Sequence, residues 1–128
     1  LPPSVYLAAP PTDVRWALQA ERRLERSRDA GTIVAEGSMT ALEYAEFSTW
    51  ALRESRVAMV RLADGALMEV GICLGLRRPL VVWVEQKFDE WEQLILTVAA
   101  ALGSNVDVVA TLEDGVREIE RWLPGGPA

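Results

Sequence analysis

A single doubly wound α/β domain is the fold this sequence predicts, with five parallel strands in the order 2-1-3-4-5 and helices on both faces. Three observations predict it. Apolar runs of strand length alternate with segments of helical periodicity, and the loops between them are short. The strands at 56–63 and 79–84 are apolar along most of their length, as parallel strands covered on both faces should be. At 128 residues the chain is long enough for one domain with a real core, and no internal repeat, linker or low-complexity segment divides it.

The elements follow in order. SVYLAA (4–9) reads as a short buried strand after Pro2-Pro3. From Asp13 to about Arg28, Val14, Ala17, Leu18 and Leu24 recur at helical spacing. GTIVAEG (31–37) is a strand bounded by glycines. Thr40-Ala-Leu-Glu43 is a capping box, so a helix should run from there to about Arg53. RVAMVRLA (56–63) is the third strand, and Asp64-Gly65 is a turn signal. A short buried helix to about Gly75 precedes PLVVWV (79–84), the fourth strand. Asp89 can cap the next helix, with Trp91, Leu94, Ile95, Val98 and Leu102 on one face. NVDVVA (105–110) is the fifth strand. Thr111 and Asp114 begin a last helix whose stripe is Leu112, Val116, Ile119 and Leu123. Residues 124–128, PGGPA, read as a frayed tail. This alternation is flavodoxin-like or Rossmann-like.

Composition removes several function classes. The net charge of -6 argues against a nucleic-acid polymer or an anionic membrane as partner. No apolar stretch reaches the roughly 20 residues of a membrane span. The single cysteine, Cys73, cannot form an internal disulfide, and no signal peptide is seen, so a cytoplasmic location is expected. There is no histidine, which excludes Ser-His-Asp and Cys-His nucleophile systems and most zinc sites. No metal and no cofactor is called for. Neither G-x-x-x-x-G-K-[ST] nor G-x-G-x-x-G occurs, and APPTDV is a poor flavin-phosphate loop.

One charge stands out. GALMEVGICLGL (65–76) contains a single ionisable carboxylate, Glu69, among aliphatic, sulfur-bearing and glycine neighbours. A carboxylate in such surroundings costs free energy unless it is paired, hydrogen-bonded or protonated. In a doubly wound sheet, ligands sit outside the carboxyl ends of the strands, near the switch point between strands 1 and 3. That gathers AAPPTD (8–13), EGSM (36–39) and LADGALME (62–69), with Glu69 about one turn into the helix after strand 3. The carboxylate is therefore expected to face the crevice. Plainer readings stand beside this one. Glu69 alone reads as a solvated helix residue, Asp64-Gly65 as a turn, Tyr6 as a core aromatic and Arg15 as solvated. ERRLERSR (21–28) reads as a charged, solvated helix face. Trp16 and Trp50 are the tryptophans more open to a pocket role.

With these residues in view, the chain resembles the nucleoside 2-deoxyribosyltransferase superfamily, including its nucleoside 5'-monophosphate N-glycosidases. The resemblance rests on VYLAAP (5–10), on DGALMEVGICLGLRRPLVVW (64–83) and on the layout of the last helices and strand. It implies that Glu69 is the catalytic carboxylate at the anomeric carbon of the sugar. It implies that Tyr6 positions the sugar or Glu69, that Gly65 lets the backbone approach the ligand, and that Ala9, Pro10 and Arg15 lie on the loop holding the sugar's 5' end or its phosphate. The family's second-helix acid, which acts on the leaving base, aligns with Ser48, with Glu46 nearby. The Asp that often precedes strand 3 aligns with Arg56. For the acid that protonates the base, Asp64 comes first, then Glu46 or Glu36. The expected partner is a small nucleoside or nucleotide, and a homodimer or higher homo-oligomer is implied. The alternative is a catalytically degenerate nucleotide-binding or protein-interaction module of the same fold, motivated by Ser48 and Arg56 at acidic positions.

Overall fold

The computed structural model describes residues 3–27, 31–62, 76–84, 90, 93–94, 97, 101 and 105–123. Eight elements are defined there: β1 (Pro3–Leu7), α1 (Arg15–Ser27), β2 (Gly31–Val34), α2 (Ala41–Glu54), β3 (Val57–Arg61), β4 (Leu80–Trp83), β5 (Val106–Val109) and α3 (Leu112–Arg121). The strands form one parallel sheet in the order β2-β1-β3-β4-β5, as the sequence predicts. Between β4 and β5, the described residues Glu90, Gln93, Leu94, Thr97 and Ala101 are helical, and the Thr97 hydroxyl donates to the Gln93 carbonyl at 2.8 Å. The helix expected over 65–75 lies outside the described residues, as do the Asp64-Gly65 turn, Cys73, Asp89 and the tail.

The faces of the sheet follow from the two-residue period of its strands. Val5, Leu7, Val57, Met59, Val81 and Val109 point to one face, where they pack with Ala17, Ala20 and Leu24 of α1 and with Val116 and Ile119 of α3. Tyr6, Ala8, Ala58, Val60, Leu80 and Val82 point to the other, against Ala51 and Leu52 of α2. The reversal of direction explains the split. The chain steps outward from β1 to β2 and then back across β1 to β3. Right-handed crossovers in opposite directions put α1 and α2 on opposite faces.

The termini of the elements have local causes. The strand expected over 4–9 stops at Leu7, because the Ala9 N–H turns back to the Leu7 carbonyl at 2.9 Å. A turn then closes from the Asp13 N–H to the Pro10 carbonyl, with Pro11 at the position whose φ proline presets. For this reason α1 starts at Arg15 and not at Asp13. At α2 both halves of the predicted capping box form. Thr40 Oγ1 accepts from the Glu43 N–H, and the Glu43 carboxylate accepts from the Thr40 N–H. The other end of α2 is closed by Arg78, whose guanidinium donates to the Arg53 carbonyl at 2.7 Å. In α3, Thr111 Oγ1 accepts from the Asp114 N–H, and Leu112, Val116, Ile119 and Leu123 are all buried.

Those Thr40 bonds hold the Glu43 carboxyl below its ordinary value of 4.5. The folded carboxyl thus binds its proton less tightly than the unfolded one. Its contribution to stability is full above about pH 4.5 and is lost as the pH falls through the lowered value. Thr40→Ala is expected to cost about 1 kcal/mol at neutral pH. The same change should flatten the acid limb of a stability–pH curve, read from urea midpoints between pH 3 and 7.

The ERRLERSR segment is less solvated than its composition implies. Arg23 pairs with Glu113 of α3 at 2.6 Å, and Glu21 accepts from the Thr32 hydroxyl of β2. The Arg23 guanidinium holds the Glu113 carboxyl below its ordinary range. Arg22 and Glu25 face solvent, as expected.

Gly115 sits inside α3, where glycine ordinarily weakens a helix by about 1 kcal/mol. A Cβ there would come within 2.5 Å of Met59 Cε and 3.1 Å of Met59 Sδ. Met59 is fully buried, so its tail has little room to retreat. Gly115→Leu is expected to destabilise the fold by about 3 kcal/mol, the overpacking term overriding the gain in helix propensity. Shortening the neighbour in Gly115→Ala/Met59→Val should recover part of the loss seen for Gly115→Ala, and a double-mutant cycle on denaturation midpoints measures how much.

Candidate functional site

The carboxyl ends of β1 and β3 lie side by side, joined by the bond from the Ala8 N–H to the Met59 carbonyl at 2.9 Å. The loop after β1 and the chain leaving β3 at Leu62 therefore start as neighbours. This is the switch point, with α1 leaving toward one face and the connection from β2 returning on the other.

Tyr6 stands in the middle of the sheet. It is fully buried in β1, on the α2 side of the sheet, and its hydroxyl donates to Ser48 Oγ at 3.1 Å. Ser48 is also fully buried, on the inner side of α2. The Tyr6 ring meets Phe47 edge-on, with centroids 6.0 Å apart. Two expected site residues, 42 apart in sequence, are thus brought together. Glu46 is not brought to them. It precedes Ser48 by two residues, about 200° around the helix, and faces solvent on the outer side of α2.

Ala9 is buried, Pro10 is half-buried, and Arg15 is exposed at the start of α1. Asp13 ties this loop to the sheet. Its carboxylate lies 3.7 Å from Arg15 Nε and 3.2 Å from Arg61 Nη2. Glu36 is exposed in the loop after β2, and Arg56 is exposed just before β3. Glu69, Asp64 and Gly65 lie outside the described residues.

Sequence reasoning missed the group around Arg61. This arginine ends β3 with only 20 % of its side chain exposed, and its guanidinium carbon stands 5.8 Å from the centroid of the Trp83 ring. Trp83 ends β4 and donates from Nε1 to the Ala110 carbonyl at 3.3 Å. Its ring meets Trp16 of α1 edge-on at 5.9 Å. Trp16 is 4 % exposed, so it is a core residue and not a pocket wall. A signal was present: Arg61 is the lone charge of VAMVRL, the same kind of anomaly as Glu69.

Beside this mouth lies an open cleft of about 400 Å³. Its wall from the first loop is Pro11 and Thr12, and its opposite wall runs from Gly37 through Met39 to Tyr44. Gly37 has φ 76°, a left-handed conformation that favours glycine, and nothing crowds the place of its absent side chain. The backbone turn, not packing, is what asks for glycine there. The cleft lining carries hydroxyls from Thr12, Ser38, Thr40 and Tyr44 and, among the described residues, no charged side chain. Such a surface suits a neutral polyhydroxyl or heterocyclic group better than a free metal ion. Among the described residues, no three His, Cys, Asp or Glu side chains are grouped to hold a metal, and no helix is long and apolar enough to cross a membrane.

Compared with protein-family models, with curated proteins and with solved structures, the chain matches none.

Proposed function

We propose that this protein cleaves or transfers the N-glycosidic bond of a nucleoside or nucleoside 5'-monophosphate, with Glu69 as the carboxylate at the anomeric carbon. The observation that carries the reading is the adjacency of β1 and β3 in a sheet of order 2-1-3-4-5. The two segments that resemble deoxyribosyltransferases, VYLAAP and DGALMEVG, are the first of these strands with its loop and the chain directly following the second. Ligands of doubly wound sheets bind between such ends. The hydroxyl-lined cleft beside α2 supports a sugar- or base-sized ligand, and the arginines around Asp13 support an anionic 5' substituent.

The chemistry asks for two acids. Breaking the bond between C1' and the base nitrogen develops oxocarbenium charge on the sugar, which a carboxylate stabilises or captures as an ester. Glu69 takes that role. The electron pair of the bond leaves with the base, which needs a proton, and Asp64 is the acid assigned to supply it. Water as acceptor makes the protein a hydrolase; a second base makes it a transferase. The buried Tyr6–Ser48 pair braces the crevice wall from behind.

The test is a panel of nucleosides and their 5'-monophosphates, incubated with the protein with and without a second free base. Chromatography then reads released or exchanged base. Release or exchange identifies substrate and reaction. The second reading, a nucleotide-binding module without turnover, is favoured by Ser48, which is neutral and bonded to Tyr6 where the family that the chain resembles often has an acid. It predicts saturable binding of a panel member with no base set free.

A further inference from the structure

The outer face of α2 carries a pattern that the proposed function does not use. Glu46, Thr49, Trp50 and Arg53 follow at i, i+3, i+4 and i+7 and form one stripe, with Ala45 beside it. Trp50 is 49 % exposed, an unusual cost for the largest apolar side chain, and it leans on Phe47 with ring centroids 6.0 Å apart. A shallow groove runs along the same residues and on to Glu54. Glu46 and Arg53 are exposed, and neither has an ion-pair partner among the described residues. Seven residues apart on one helix, their backbones are separated by about 10 Å, too far for them to pair with each other.

We propose that this stripe is a twofold contact between two copies of the chain, α2 packing antiparallel on α2. The charge order carries the choice of occupant. Glu46 and Arg53 are equidistant from the midpoint between Thr49 and Trp50. An antiparallel pair centred there sets Glu46 of each copy against Arg53 of the other and closes two identical ion pairs. A surface that is its own electrostatic complement about a twofold axis is what an isologous dimer requires. Ala45 and Thr49 are small enough to let the helices approach, and the two Trp50 rings cover the centre. A contact built on one helix stripe is small, so the dimer exchanges with monomer and is concentration-dependent.

The experiment is sedimentation velocity from about 1 μM to about 500 μM on the wild type, Glu46→Arg, Arg53→Glu and the double swap Glu46→Arg/Arg53→Glu, with melting curves to verify folding. The wild type should dimerise within this range. Each single reversal, which sets like charges together twice, should weaken the dimer at least about tenfold. The double swap restores both pairs in reverse and should return the dissociation constant to within about threefold of wild type. A monomeric wild type overturns the proposal. So does a dimer indifferent to the single reversals, or a double swap as weak as either single. The result is independent of the glycosidic reading, because no substrate enters the measurement.

Discussion

Replacing Glu69 by glutamine is expected to slow base release or exchange by at least about 100-fold. The two side chains have nearly the same shape, so binding of substrate should change far less than turnover. What is lost is the negative charge, and that charge matters most when C1' turns cationic. An interaction made mainly in the transition state lowers kcat and kcat/KM together and leaves KM nearly unmoved. Steady-state kinetics on the best substrate of the panel, with melting temperatures beside them, make the comparison. Unchanged turnover in a folded Glu69→Gln protein would remove Glu69 from the chemistry and with it the mechanism proposed above.

Truncating Tyr6 to alanine is expected to cost about 3–5 kcal/mol of folding stability. The ring is fully enclosed between β1 and α2, touches Phe47 edge-on and holds the hydroxyl that meets Ser48. Removing it empties a volume that the surrounding strands cannot refill. The subtler change separates polar from apolar contributions. Tyr6→Phe keeps the ring and takes away the donor to a fully buried Ser48, at a cost of about 1–3 kcal/mol. Adding Ser48→Ala removes the stranded oxygen, so Tyr6→Phe/Ser48→Ala should be more stable than the sum of the single losses implies. Guanidinium denaturation with an unchanged m-value is the measurement. A strictly additive double variant would show that the hydrogen bond contributes nothing to the coupling of α2 to the sheet.

What was legible in the sequence was local. Each strand announced itself by a short apolar run, and the Thr40–Glu43 capping box fixed the start of α2 because all its partners lie within four residues. The strand order was also legible, since alternation plus handedness leaves few alternatives. The candidate site was legible only in part. Tyr6 and Ser48 were both singled out, yet their pairing depends on how α2 lies across β1, which no periodicity encodes. Asp13 and Arg61 are 48 residues apart, and although Arg61 is a lone charge in an apolar strand, nothing local names Asp13 as its partner. Trp16 looked more open to a pocket role than the tryptophans on or beside the apolar helix stripes. The facing partner that buries it, Trp83, arrives from another strand. The ends of elements shifted for a related reason. Ala8 and Ala9 are as apolar as the strand before them, and only the backbone bond back to Leu7 marks where the ladder stops.

The position of β1 has a consequence for the order in which the molecule is made. β1 precedes the other described strands in the chain, yet it is not an edge of the sheet; it lies between β2 and β3 and bonds to both. Residues 3–62 therefore contain three consecutive strands of the finished sheet and a helix for each face. A nascent chain can assemble this half with its hydrophobic layers already opposed. Its one unfinished border is β3, whose outer N–H and C=O groups await β4. Synthesis of β4 and β5 then extends an existing template strand by strand, and α3, which follows them, closes over Met59. The interval between the emergence of β3 and of β4 is when this chain is most open to pairing with another nascent copy, and the 18 residues between Arg61 and Leu80 set its duration.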